Sequence, residues 1–211
     1  MSKPVLPSIN PVIEALELPT EPVARRARLR ETWAKHPNAL ALHLARSLGV
    51  SEREIVEAMP DGRSIALDAS GWEAILRGFE SLGDVHVVCT NSAVTLEAFG
   101  QFGNFSTFGG YFNVQTRSLD MHIRHDRLAR IYAVRKPSHM DGVETLSVQF
   151  FDVDGTAVMK VFLTFGGKTP ASGRVAAFDE IVARFGPHGN CPSASVRGLC
   201  CAHPRAVGGK A

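Results

Sequence analysis

The sequence predicts an α+β fold: a large antiparallel β-sheet meander with leading helices and a C-terminal helix. Three observations carry that expectation. Between residues 21 and 59 three stretches are bounded by helix start and stop signals. From about 84 to 165, short segments rich in β-branched and aromatic residues alternate with turn chemistry. From 174 the apolar spacing returns to the helical period.

Residues 1–20 hold four prolines, too many for a packed element, and read as an N-terminal arm with room for one short helix in PVIEALEL. A first helix then starts with Pro22 in its opening turn, where the missing N–H costs nothing, and stops at Pro37. NALALHLARSLG reads as a second helix ending at Gly49. Ser51 and Glu54 have the spacing of a capping box and open a third, with Ile55 and Met59 on one face. After the Asp61-Gly62 turn come the segment SIALD and a helix whose Trp72, Ile75, Leu76 and Phe79 form one stripe suited to docking on a flat surface. The segments DVHVVCT, AVTLEAFG, GYFNVQT, LDMHIRH, ARIYAVRK, TLSVQFF and TAVMKVFLTF read as one meandering antiparallel sheet. Its clearest hairpin turns at Asp154-Gly155, a dipeptide that tolerates positive φ. Val175, Phe178, Ile181, Val182 and Phe185 stripe the last helix, which Gly186-Pro187 ends. These limits give an arm over 1–20, one domain over 21–186, and a tail over 187–211 that is rich in small residues, lacks an apolar period and reads as disordered.

A net charge of +2 supplies no global field toward nucleic acid or a membrane surface. No uncharged apolar run approaches the length of a membrane span and no apolar leader opens the chain, so the expectation is a cytoplasmic protein without membrane insertion. Of the cysteines, Cys89 lies in an apolar run and Cys191, Cys200 and Cys201 in the tail, a distribution that suits reduced thiols better than a disulfide framework. There is no G-x-S-x-G, P-loop, H-E-x-x-H or C-x-x-C pattern, so nothing supports a hydrolase, NTPase, zincin or thioredoxin reading. Cys200-Cys201-Ala202-His203 and Cys191-Pro192 could hold a soft metal or haem, but a tail of this composition is usually only a tail.

Two segments admit a chemical reading. ALALHLARSLGVSEREIVEAM has the outline of a helix-turn-helix, yet its second helix sets Arg53 against Glu52, Glu54 and Glu57, a charge that repels phosphate. A helical cap on the sheet is the better reading, and no nucleic acid is expected as a partner. In RSLDMHIRHDRLARIYAVRKP, strand alternation puts Leu119, Met121 and Ile123 on one face and Asp120, His122 and Arg124 on the other. Pattern alone favours an ordinary solvated face there. The rival is a cleft in which an imidazole ligates iron and arginines hold anionic groups. Phe102, Phe105, Phe108, Tyr111 and Phe112 crowd the neighbouring QFGNFSTFGGYFN, and Arg124, Arg135, Lys136 and Lys160 supply charge. That spacing does not distinguish haem from another flat ligand, and His43, His86 and His125 are equally available histidines.

At GYFNV, LDMHI and VRKPSHMDGVETLSVQFFDVDGTAVMKVFL the chain resembles the HemS/ChuS and ChuX/HutX proteins of haem utilisation, in a single-module version. The likeness is strongest over residues 82–165. It implies haem as the cofactor, an intracellular role in haem storage or transfer for iron acquisition, and a homodimer with a haem acceptor or reductase as a further partner. Enzymatic turnover is left open by the resemblance, with a carrier favoured over a haem-degrading enzyme. Carried over singly, His122 is the first choice of iron ligand. Phe112 becomes a wall candidate and Arg135 a propionate candidate, while the residue pattern itself adds Phe105 and Phe108 to the walls and Arg124 to the propionate side. Two departures stand out. Thr90 falls where ChuX-like proteins have a second histidine, with His86 four residues earlier on the same strand face. Ala39 falls near the HemS-like helical ligand, with His43 one turn beyond as a possible substitute. The alternative is a regulatory or scaffold protein of the same fold that has lost haem and binds DNA or protein through its helical cap.

Overall fold

The structure, a computed structural model, describes residues 17–91, 93–165 and 167–187; the tail cysteines and most of the N-terminal arm lie outside these. The three leading helices form where their end signals place them. Helix α1 (Pro22–Lys35) starts behind Glu21, whose carboxylate accepts from the Val23 and Ala24 amides. Helix α2 (Ala41–Leu48) stops at Gly49, which takes the left-handed conformation. Helix α3 (Glu52–Glu57) has its capping box made in both directions, Ser51 Oγ accepting from the Glu54 amide and Glu54 from the Ser51 amide. Trp33 donates its indole N–H to the Ile55 carbonyl at 2.7 Å, locking α1 across α3.

Strand β1 (Ser64–Leu67) and helix α4 (Trp72–Gly78) precede eight more strands: β2 (Asp84–Thr90), β3 (Thr95–Gln101), β4 (Phe105–Phe108), β5 (Tyr111–Gln115), β6 (Asp120–Ile123), β7 (Arg130–Pro137), β8 (Glu144–Phe151) and β9 (Ala157–Phe162). Helix α5 (Ser172–Phe185) closes the described chain. Helices and antiparallel strands thus make the α+β fold that the sequence predicts. The Asp154-Gly155 turn joins β8 to β9 with Gly155 at φ 82°, and the Gly155 carbonyl accepts from the Arg53 amide, seating α3 on the hairpin.

The single meander is corrected. The strands form a six-stranded sheet in the order β1-β7-β8-β9-β2-β3 and a separate three-stranded sheet β4-β5-β6. After β3 the Phe102 side chain drops into the core and Asn104, at φ 53°, turns the backbone, so the next three strands stack as a second layer. The chain then returns to the large sheet at β7, and β9 pairs with β2, His86 facing Phe162.

Alternation along the strands sends side chains into two separate interiors. Ile131, Ala133, Leu146, Val148, Phe150, Val161, Val85 and Val87 face α4, α5 and the inner side of the small sheet. Tyr132, Val134 and Phe151 face α1, α2 and α3. Phe150 and Phe151 are neighbours in sequence and both wholly buried, one in each core. The helix pair with the helix-turn-helix outline is therefore a cap on the sheet, as its charge suggested.

Candidate functional site

The small sheet positions the histidine singled out in the sequence. Phe108 and Tyr111 are joined by Gly109-Gly110, both at positive φ, the conformation a two-residue hairpin loop requires. The register pairs Ser106 with Asn113 and Asn113 with His122, so these three polar side chains stand in one row across the three strands. Phe105 pairs with Val114 and Val114 with Met121 on the opposite, core-facing side. The outer face thus presents Ser106, Phe108, Tyr111, Asn113 and His122. Phe108 is 84% exposed, a large apolar ring held in solvent.

The row is hydrogen-bonded in one direction. Ser106 Oγ donates to Gln115 Oε1 at 3.2 Å, Asn113 Nδ2 donates to Ser106 Oγ at 3.1 Å, and Asn113 Oδ1 lies 2.8 Å from His122 Nδ1. An amide oxygen only accepts, so Nδ1 carries a proton, and in the neutral ring Nε2 keeps its lone pair. The His122 side chain is 58% exposed. Tyr111 meets the imidazole edge-on with centroids 6.4 Å apart. Arg124 stacks its guanidinium 5.7 Å from the Tyr111 ring centre and grips Asp126 with two nitrogens, at 2.8 and 2.6 Å. That grip holds the Asp126 carboxyl below its usual range, and an incoming anion would compete with it.

The other residues expected in the site are placed elsewhere. Phe112 is no wall of an open cleft: it is wholly buried on the inner side, 5.3 Å from Trp72 and 5.2 Å from Phe105 between ring centres. Phe105 lies on that same inner side, half-buried under Arg77. Arg135 sits on the far side of the core, over Phe178 of α5 and paired with Asp179 at 2.9 Å and with Glu144. His43 is half-buried on α2, in the cap behind the large sheet, so within one chain it and His122 cannot share one iron. Ala39 precedes α2 altogether, which removes the helical-turn argument that linked it to His43. His125 stacks flat on Trp72, centroids 4.8 Å apart.

The large sheet holds a second polar cluster, on the side of the leading helices. His86 is stacked against Phe99 and Phe162 and places Nε2 2.9 Å from a Glu97 carboxylate oxygen. Thr90, near it, donates to Thr95. Lys160 is paired with buried Glu52 of α3. Burial, with the Lys160 charge nearby, lowers Lys136 to about 8. Burial first, then the Lys136 charge, lowers His139. Sequence reasoning noted the lysines but missed Glu52, Glu97 and His139 as their company, because a helix, a neighbouring strand and a loop each bring one of them in.

Among the described residues no three His, Cys, Asp or Glu side chains gather into a metal-binding group. The described residues offer no cage for a bare ion, whereas haem iron, already held by its macrocycle, would ask of the protein one imidazole and apolar side chains on the same face. His122 with Phe108 and Tyr111 fits that requirement. No helix of the described residues is long and apolar enough to cross a membrane.

These features define an α+β protein that presents, on a small auxiliary sheet, an outward imidazole hydrogen-bonded from behind by a buried amide. The chain belongs to the haem utilisation ChuX/HutX family, whose sequence model matches residues 65–181. It is 30% identical over 155 residues to the hemin transport protein HmuS of Yersinia pestis, covering 72% of this chain and 42% of that one. It is 26% identical over 131 residues to the intracellular heme transport protein HutX of Vibrio cholerae, covering 61% of this chain and 67% of that one. A protein from Erwinia carotovora superposes with a TM-score of 0.68 at 25% identity, over 74% of this chain and 97% of its own. The chain thus spans less than half the length of HmuS.

Proposed function

We propose that this protein is an intracellular haem-binding carrier for iron acquisition, that it ligates the haem iron through His122 Nε2, and that it works as a homodimer. The observation that carries the reading is the His122 imidazole, held at Nδ1 by Asn113, with the Tyr111 ring beside it and its side chain more than half exposed on the same face as Phe108. Neutral imidazole with its second nitrogen hydrogen-bonded is the form in which histidine binds iron. Family membership and the transport roles in the names of HmuS and HutX support haem as the ligand. A ligand face open on one side suits loading and release better than turnover, which calls for a site that excludes water. The β3 edge, with Val94, Leu96 and Phe99 more than half exposed, supports pairing with a second copy. The regulatory alternative rests on Thr90 standing where ChuX-like proteins have a second histidine; against it, α3 buries its apolar side against the sheet and pairs Arg53 with Glu57.

Haemin titration of the wild type and of His122→Ala tests the reading, followed by light scattering and by addition of a reductant in air. A saturable Soret shift in the wild type, lost or displaced in the variant, with two protomers in solution and a Soret band that survives reduction, is the expected outcome. An unchanged variant would move the ligand to another residue. A monomer would remove the dimer, and bleaching of the band with release of iron would make the protein a haem-degrading enzyme.

A further inference from the structure

Resting on the reading of His122 as iron ligand, we infer that Asn113 is its positioning residue, fixing the imidazole as the Nδ1–H tautomer through a directed chain that runs back to Ser106 and Gln115. Asn113 is 6% exposed, a buried amide in a strand, where such a residue is disfavoured unless its groups are satisfied. Both its ends are. Its nitrogen donates to Ser106 Oγ at 3.1 Å and its oxygen lies 2.8 Å from His122 Nδ1. Ser106 cannot reverse the chain while its own proton is given to Gln115 at 3.2 Å, so it accepts from Asn113, and the amide is oriented with its oxygen toward the imidazole.

The competing influence is Asp120. Its carboxylate stands 3.8 Å from His122 Nε2 and would favour a proton there, the opposite tautomer. That distance exceeds a hydrogen bond, and the Asp120 side chain is largely in water, where its attraction is screened. The 2.8 Å contact to a buried amide decides the tautomer. Free imidazole of histidine prefers the proton on Nε2 in water, so the Asn113 bond reverses the default and leaves the outward nitrogen as a ready ligand. Asn113 acts through His122 and touches no iron.

Nitrogen-15 NMR of the His122 imidazole in the protein without haem, at mildly alkaline pH, reads the tautomer directly, in the wild type and in Asn113→Leu, Asn113→Asp and Ser106→Ala. The wild type should show a protonated Nδ1. Asn113→Leu should move the proton to Nε2 and weaken haemin binding by roughly 10- to 100-fold. Asn113→Asp, which keeps an acceptor in place, should retain Nδ1–H and most of the affinity. Ser106→Ala frees the amide to turn over and should give a mixture of tautomers; it also serves where the leucine variant does not fold. A wild-type proton on Nε2, or a tautomer indifferent to both Asn113→Leu and Ser106→Ala, overturns the inference. An Asn113-dependent tautomer in a protein that takes up no haemin supports it and sinks only the haem reading.

Discussion

The two faces of the six-stranded sheet come from the same strands and hold different interiors, one apolar throughout and one in which an apolar core shares the face with a buried polar row. Strand β8 shows it within eight residues: Leu146, Val148 and Phe150 enter the core shared with α4, α5 and the small sheet, while Ser147 and Gln149 point toward the leading helices, equally buried. An alternating strand normally turns its polar row to water. Here that row is roofed, and its members must find partners or remain short of them. Lys160 finds Glu52, Gln149 Nε2 finds Ser147 Oγ, and Gln149 Oε1 meets no donor among the described residues. Burial of apolar side chains holds both faces, but only the roofed one also retains polar groups whose desolvation is incompletely offset.

The largest expected effect asks whether the two interiors are energetically separate. Phe150→Ala in the first core should cost about 3–5 kcal/mol and Leu44→Ala in the second about 2–5 kcal/mol, from lost burial plus the cavity left behind. Both residues are wholly buried. Denaturant unfolding of the two single variants and the double variant measures the coupling. Two independent cores predict additivity within about 0.5 kcal/mol. A larger interaction term would show that the sheet transmits strain from one face to the other and would end the comparison as drawn.

A smaller effect sharpens the contrast on the polar side. Glu52→Ala leaves the Lys160 ammonium, 16% exposed, without its counter-charge and should destabilise by about 3 kcal/mol. Replacing both partners at once, Glu52→Leu with Lys160→Met, should recover most of that loss, because an apolar pair of similar volume needs no desolvation of charge. Thermal unfolding of the three variants reads the difference. If the double variant is as unstable as Glu52→Ala, the pair stabilises the cap in its own right rather than compensating its own burial.

The helix ends, the β8–β9 hairpin and the α5 stripe were legible in the sequence because their signals are local. The Ser51–Glu54 box, the Asp154-Gly155 hairpin and the Phe178–Ile181 stripe each lie within a few residues and each formed. The outward setting of His122 was legible for the same reason, since alternation within Leu119–Ile123 decides it. The pairing of β2 with β9 was not, because residues more than seventy apart must meet before any pattern records it. Register, which no local pattern records, separates Phe112 and Arg135 from His122: Asn113, not Phe112, lies opposite His122, and Arg135 falls in the same row as Ile131 and Ala133. Asn113 did leave a trace, a strand-averse amide between Phe112 and Val114 in YFNVQ, which becomes meaningful only once its cross-strand neighbour is known.

The finest test of the contrast is Lys136, whose burial lowers its pKa from the ordinary 10.5 to about 8. Between those values the unfolded chain binds the proton that the folded one has released, so stability should rise with pH across that window and stay flat below it. The full shift corresponds to about 3 kcal/mol, and solvent reaching the half-buried amine reduces this to about 1 kcal/mol. Lys136→Met should therefore stabilise the protein by about 1 kcal/mol at neutral pH, with an advantage that fades as the wild-type lysine becomes neutral in the folded state. Urea midpoints of both proteins across that range measure it. A methionine variant less stable at neutral pH would mean that the amine's bond to the Pro137 carbonyl outweighs its desolvation, and the roofed polar row would then be stabilising at that position.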